Sequence, residues 1–302
     1  MLTEEIKKFE NEINSKFYFD YDLKKSNWFN IGGKTEVYFK PESLPDLVSF
    51  LKKFGNKNKI FILGAGSNTL IRDKTFKGIV IKLGKNFSNI SMLPNNIIVA
   101  GSACTDKKLS EFASDNGIAG LEFLACIPGT IGGGLRMNAG CFNKEFKDIL
   151  VSIQAIDRLG RVITIPANKV LFKYRNNDLP NDLIFLSASF KGTKENKDII
   201  KNEVIKLKAR KDKAQPTKIK TSGSTFKNPI NQTKKKVWEL IKDSVPLDTN
   251  FGDAYISNKH CNFFINKNNA SFDDMNNLIE FVKECVEKKT GIKLEKEIKI
   301  LE

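Results

Sequence analysis

The chain has 302 residues, 40% of them apolar, enough for two or three compact subdomains with sizeable cores, which excludes a disordered protein. No apolar run approaches the roughly 20 residues that span a bilayer, and the charged N-terminus MLTEEIKKFENEI lacks the apolar stretch of a secretory signal, so the reading is cytoplasmic, without membrane insertion. The net charge is +15, but the 44 Lys and six Arg are scattered along the chain, which suits solvated faces and anionic small molecules rather than nucleic acid.

Five cysteines without CxxC spacing fit a reducing compartment and argue against zinc. The single histidine, His260, removes multi-histidine metal centres and histidine relays, so no metal is expected. Catalysis must use other groups.

Residues 3–15 read as an amphipathic helix, followed by a glycine turn at Gly32–Gly33 and a strand from Glu36 to Phe39. Ser43 to Phe54 reads as a helix with Leu44, Leu47, Val48 and Leu51 on one face and Gly55 as its C-cap. KIFIL (59–63) is a buried strand that feeds GAGSN. This turn lacks the third glycine of GxGxxG and runs into an alternating segment, so it is no Rossmann fingerprint. It can instead form a nest of backbone N–H groups for a pyrophosphate. A strand near Ile97–Ala100 and a helix capped by Thr105 follow. The glycine-dense segment 120–142 then implies backbone lying against something large and flat, or against itself.

From Ile149 to Phe190 the pattern is hairpins, the first turning at Leu159–Gly160, with Arg175 at the mouth of the second loop. A lysine-rich helix over 194–213 reads as a connection. SGSTFKNP (222–229) is a polar turn, followed by a helix around Lys234–Asp243 and a strand CNFFIN. A strong helix opens at Ser271, with Asp274 completing its capping box, carries Met275, Leu278, Ile279, Val282, Cys285 and Val286 on one face, and stops at Gly291. The closing stretch alternates, with Ile292, Leu294, Ile298 and Ile300 on one side and Lys293, Glu295, Glu297 and Lys299 on the other.

In their order, WFNIGG, ILGAGSN, GLEFLACIPGTIGGGLRMNAG, KYRNN, SGSTFKNP, SNKHCNFFIN and GIKLEKEI resemble the UDP-N-acetylenolpyruvoylglucosamine reductase family, in its shorter form. The resemblance implies an α+β fold: a two-subdomain FAD-binding region of the vanillyl-alcohol-oxidase type plus a C-terminal α+β substrate-binding domain. The boundaries drawn are 1–195 for the FAD-binding region, in subdomains of about 1–72 and 73–195 with the first completed by 292–302, then a connecting helix over 196–214 and a substrate domain over 215–291. It also implies non-covalent FAD, NADPH as reductant, and UDP-N-acetylglucosamine enolpyruvate as the substrate reduced to UDP-N-acetylmuramate for peptidoglycan. Gly64, Ala65, Gly66, Ser67, Asn68, Gly129, Thr130, Gly132 and Gly133 fall where the family grips flavin.

By the same resemblance Ser224 protonates C2 of the enolpyruvyl group while hydride reaches C3, and Arg175 and Glu297 flank the carboxylate and the forming enol. Lys227 or backbone N–H groups of the turn are candidates to stabilise the Ser224 alkoxide. Tyr174, Lys227 and Asn228 are expected substrate contacts, and Arg136 a flavin or substrate contact. Cys126, Asn143 and Lys296 depart from the family's usual Gly, Gly and Pro. The rival readings are another FAD-dependent oxidoreductase of the same superfamily and a basic nucleic-acid-binding protein, which needs aromatics interleaved with Lys and Arg.

Overall fold

The structure, a computed structural model, describes residues 2–216 and 219–302. The chain runs through α1 (Leu2–Phe9), β1 (Lys16–Asp22), β2 (Lys34–Lys40), α2 (Leu44–Phe54), β3 (Ile60–Ile62), β4 (Thr69–Ile71), β5 (Phe76–Ile81), β6 (Ile90–Leu93), β7 (Ile97–Gly101), α3 (Asp106–Asp115) and α4 (Ile131–Met137). Further along come α5 (Lys197–Ala214), α6 (Val237–Ser244) and α7 (Phe272–Thr290). Two compact units result. The first takes the N-terminal residues through Phe19, Glu36–Ala65 and Gly78–Lys211, and the second takes Asp20–Thr35, Gly66–Lys77 and Asp212–Glu302.

The first unit is built on two sheets. One has the order β1-β2-β5-β3, with β3 and β5 parallel; the other is antiparallel and runs Val162–Pro166, Leu150–Ile156, Ile184–Lys191, β7, β6. Helix α2 begins where Ser43 accepts a hydrogen bond from the Asp46 N–H, and it buries Leu47, Phe50, Leu51 and Phe54. Phe39 lies between Phe17 and Phe50, with ring centroids 4.4 and 4.2 Å away. The buried face is thus centred on phenylalanines, while Leu44 is exposed and Val48 only partly covered. Gly55 does cap α2, but in right-handed geometry, φ −57°. A Cβ there would sit 2.0 Å from the Arg158 carbonyl oxygen, so close backbone approach is what requires glycine.

Helix α4 was not anticipated, because IGGGLRM holds three weak helix formers in a row. Packing overrides propensity here. A Cβ on Gly134 would meet the Phe146 ring at 2.3 Å, so the bare backbone lets the helix lie directly on that ring.

Helix α5 carries the chain from one unit to the other, near the expected 196–214, and only Ile200 on it is buried. In the second unit α6 and α7 share a core with Phe29, Ile31, Leu70, Phe226 and Phe264. Helix α7 follows its sequence pattern: the Ser271–Asp274 capping box is formed, Gly291 ends it at φ +72°, and Met275, Leu278, Ile279, Val282 and Val286 are buried. The closing strand is shorter than its alternation suggested, only Lys299–Leu301, parallel to β4. Leu294, Ile298 and Leu301 are the buried members, so the two-residue period slips by one after Ile298.

The unit boundaries differ from those drawn at 1–72, 73–195 and 215–291. Segments 20–35 and 66–77 group with the C-terminal part, as does 292–302, because β4 pairs with Lys299–Leu301 and Phe29, Ile31 and Leu70 enter the α6–α7 core.

Candidate active site

In the first unit Gly64 and the turn Gly129–Gly133 come together. Among the described residues, and apart from neighbouring backbone, a Cβ built on Gly64 would meet Thr130 Oγ1 at 2.8 Å and one on Gly133 would meet Thr130 Oγ1 at 3.7 Å. Two side-chain-free stretches of backbone therefore border one hydroxyl, leaving a cradle that Cβ atoms would fill. The turn is fixed to the loop after β7: Ile131 N–H donates to the Cys104 carbonyl (2.9 Å), Gly132 N–H to the Ser102 carbonyl (3.0 Å), and the Gly129 carbonyl accepts from Asp106 N–H (3.3 Å). Ser102 Oγ and both Asp106 carboxyl oxygens are buried there without a hydrogen-bond partner. Burial pushes the Asp106 carboxyl well above the usual carboxylate range.

The chain passes into the second unit between Ala65 and Gly66. Gly66 has φ +69°, and a Cβ on it would meet the Ser26 carbonyl oxygen at 2.3 Å, so local packing alone demands glycine. The Asn68 amide donates to the Glu297 carbonyl (3.1 Å), and the Asn68 carbonyl accepts from Lys299 N–H (2.9 Å).

Arg175 belongs to the first unit, on a hairpin of Phe172–Lys173 with Asn176–Asn177 whose turn is Tyr174–Arg175. Its backbone is left-handed, φ +54°. The guanidinium donates to the Gly140 carbonyl (2.7 Å), lies 3.8 Å from Glu145 Oε1, and sits over the Tyr174 ring at 4.9 Å. Arg136, an expected flavin or substrate contact, has protein partners on the 179–183 loop. It donates to the Leu179, Pro180 and Leu183 carbonyls (3.2, 3.0 and 2.8 Å) and stacks over Phe185, and burial lowers its pKa to about 10.

In the second unit SGSTFKNP lies between two extended segments. Ser224 pairs antiparallel with Phe263, and Phe226 with Lys296. Thr225 N–H donates to the Asn262 carbonyl, Glu297 N–H to the Thr225 carbonyl (2.8 Å each), and Lys227 N–H to the Glu295 carbonyl (2.9 Å). Thr225, next to Ser224, thereby stands opposite Glu297 although the two are distant in sequence. Asn262, which sequence reasoning passed over, grips Phe226 at both its N–H (3.0 Å) and its carbonyl (2.9 Å). The SNKHCNFFIN segment was the available signal for it.

Lys227 pairs with Glu295 (2.9 Å). Asn228 Oδ1 accepts from Val237 N–H (3.0 Å) at the start of α6. His260 Nδ1 accepts from Asn262 N–H (3.3 Å), its ring meets Phe263 edge-on at 4.8 Å, and burial lowers its pKa, the pattern of a structural imidazole.

Residues 35–166 match the FAD binding domain family, and residues 215–301 match the UDP-N-acetylenolpyruvoylglucosamine reductase C-terminal domain. Over all of both chains, the sequence is 79% identical to the UDP-N-acetylenolpyruvoylglucosamine reductase of Pelagibacter ubique. This chain belongs to that family. The Rickettsia typhi reductase is 45% identical over 95% of this chain and 96% of its own. The crystal structure of the Thermus caldophilus reductase superposes with a TM-score of 0.81 at 25% identity, over 96% of this chain and 99% of that one. The reductase family's α+β organisation, an FAD-binding region and a C-terminal domain, is therefore the fold of this chain.

FAD fits what the first unit provides. Gly64 and Gly133 leave bare backbone beside the Thr130 hydroxyl, while Gly132 packs on Ser102. Among the described residues no cluster of His, Cys, Asp and Glu could hold a metal, and no helix is long and apolar enough to cross a membrane.

Proposed function

We propose that this chain reduces UDP-N-acetylglucosamine enolpyruvate to UDP-N-acetylmuramate in the cytoplasm, with NADPH as reductant, and that Ser224, Glu297 and Arg175 carry the substrate chemistry. The observation behind this is the register of the second unit, which sets Thr225, next to Ser224, opposite Glu297. Bound FAD supplies the hydride relay from NADPH to C3 of the enolpyruvyl group. Ser224 holds the proton destined for C2. A serine hydroxyl is a weak acid, so its alkoxide needs a stabilising neighbour. Lys227 can serve, since its pair with exposed Glu295 is a surface ion pair of the kind easily given up. Arg175 supplies a fixed positive fork for the carboxylate as charge moves onto it, and Glu297 lies on the far side of the turn from Phe263. Tyr174, beside Arg175 on its hairpin, and Asn228, at the α6 start, are substrate contacts in this reading.

Anaerobic addition of NADPH to the flavin-loaded protein should bleach the flavin absorbance, and subsequent addition of the enolpyruvyl sugar nucleotide should restore it. Bleaching without restoration would assign the chain a different oxidant substrate.

A further inference from the structure

We infer that Asn138 and Asn177 act as a paired clamp that positions Arg175, holding both arms of its hairpin on the C-terminal end of α4; this rests on the proposed role of Arg175 toward substrate. Asn138 follows α4 in left-handed geometry, φ 42° and ψ 52°, and is fully buried. Its amide nitrogen donates to the Lys173 carbonyl (3.1 Å) and to Glu145 Oε2 (3.0 Å), while its oxygen accepts from Lys147 N–H (3.1 Å). Asn177 answers from the other arm. Its amide nitrogen donates to the Leu135 and Arg136 carbonyls (3.0 Å each), and its oxygen accepts from Leu179 N–H (3.1 Å).

The chemistry requires asparagine at both places. Each amide uses two N–H donors and one carbonyl acceptor at once, a set that Asp, Ser or Thr does not possess. Leu135 and Arg136 lie in the last turn of α4, whose carbonyls run short of helical partners; the Leu135 carbonyl also accepts from Asn138 N–H (3.1 Å), and Asn177 adds to the cap at both carbonyls. The hairpin itself has only two residues per strand, too few to hold a shape alone, and it must keep Arg175 in a left-handed backbone that non-glycine residues avoid. The two clamped residues, Lys173 and Asn177, bracket Tyr174–Arg175–Asn176. Asn138 further holds Glu145, the carboxylate facing the guanidinium, and Gly140, which receives the guanidinium's hydrogen bond, lies two residues beyond it. At its other end α4 starts from Thr130, whose hydroxyl borders the glycine cradle. One short helix thus sets the arginine's place with respect to that cradle.

The test uses the flavin-loaded full chain with Asn177→Ala and with Asn138→Gly, which keeps a left-handed residue while removing the amide. Flavin content and melting temperature report folding, and stopped-flow absorbance reports the two half-reactions. Flavin reduction by NADPH is expected within about twofold of the parent, and reoxidation by the enolpyruvyl sugar nucleotide slowed about 10- to 100-fold, the scale of a displacement near 1 Å. Asn177→Ser, which keeps one donor, should fall between and serves where the others bind flavin poorly. In an Arg175→Ala background Asn177→Ala should slow reoxidation no further, since it acts through the arginine. Additive losses, or parent-like reoxidation in Asn177→Ala beside a slow Arg175→Ala, overturn the clamp alone. Parent-like reoxidation in Arg175→Ala overturns the role of the arginine and the clamp's function with it.

Discussion

Ser224 lies in an extended segment paired through its own backbone with Phe263 and, through Thr225, with Glu297, so removing the hydroxyl should disturb chemistry and not shape. Ser224→Ala is expected to leave flavin reduction by NADPH nearly intact and to slow reoxidation about 10²- to 10⁴-fold, the range of a lost general acid; equal slowing of both half-reactions would refute it. Asp106 makes the opposite kind of claim, about stability. Burial raises its folded pKa, so above pH 3.8 the unfolded chain releases a proton that the folded chain retains, and stability falls as pH rises toward the folded value. Asp106→Asn should therefore raise the melting temperature more at pH 7 than at pH 4; parallel melting curves at the two pH values would count against it. Little at this scale was legible beforehand. Ser224, Arg175 and Glu297 stood out through motifs, whereas nothing singled out Asn138, Asn177 and Asn262, because an amide shows its partners only once distant backbone groups have arrived.

Among the elements, α2 and α7 were legible because caps and apolar spacing are local, and both features act within one or two turns. Helix α4 was not, since its stability comes from lying on Phe146. Gly55 separates the two kinds of cause. A glycine in right-handed geometry ordinarily gains stability when changed to alanine, by about 0.4–1 kcal/mol. Here the new methyl would meet the Arg158 carbonyl at 2.0 Å, and overpacking of that sort costs about 1–3 kcal/mol. Gly55→Ala is thus expected to lower the urea midpoint, and a raised midpoint would show the Arg158 loop yielding freely.

For the whole molecule, cofactor binding and folding are linked. Stripping the flavin and adding FAD back at about 100 times its Kd should stabilise the protein by about 2.7 kcal/mol in urea unfolding. Gly133→Val, at an exposed position whose Cβ has only Thr130 Oγ1 nearby, should fold normally and lose most of that gain; full retention would move the cradle elsewhere. The net charge of +15, spread along the chain, leaned the reading toward anionic small molecules and left the nucleic-acid alternative open. By itself the sequence determined the locally coded features: the capped helices, the hairpins after Ile149, the tight turns and the ordered motifs that mark the reductase family. Only the tertiary structure decided that 20–35 and 66–77 join the C-terminal unit, that Arg136 donates to the 179–183 loop, and that the Ser224–Lys227 segment runs between the segments carrying Phe263 and Glu297. Those outcomes depend on hydrogen bonds and packing between segments far apart in the chain, and no local pattern records which distant partner a backbone group will find.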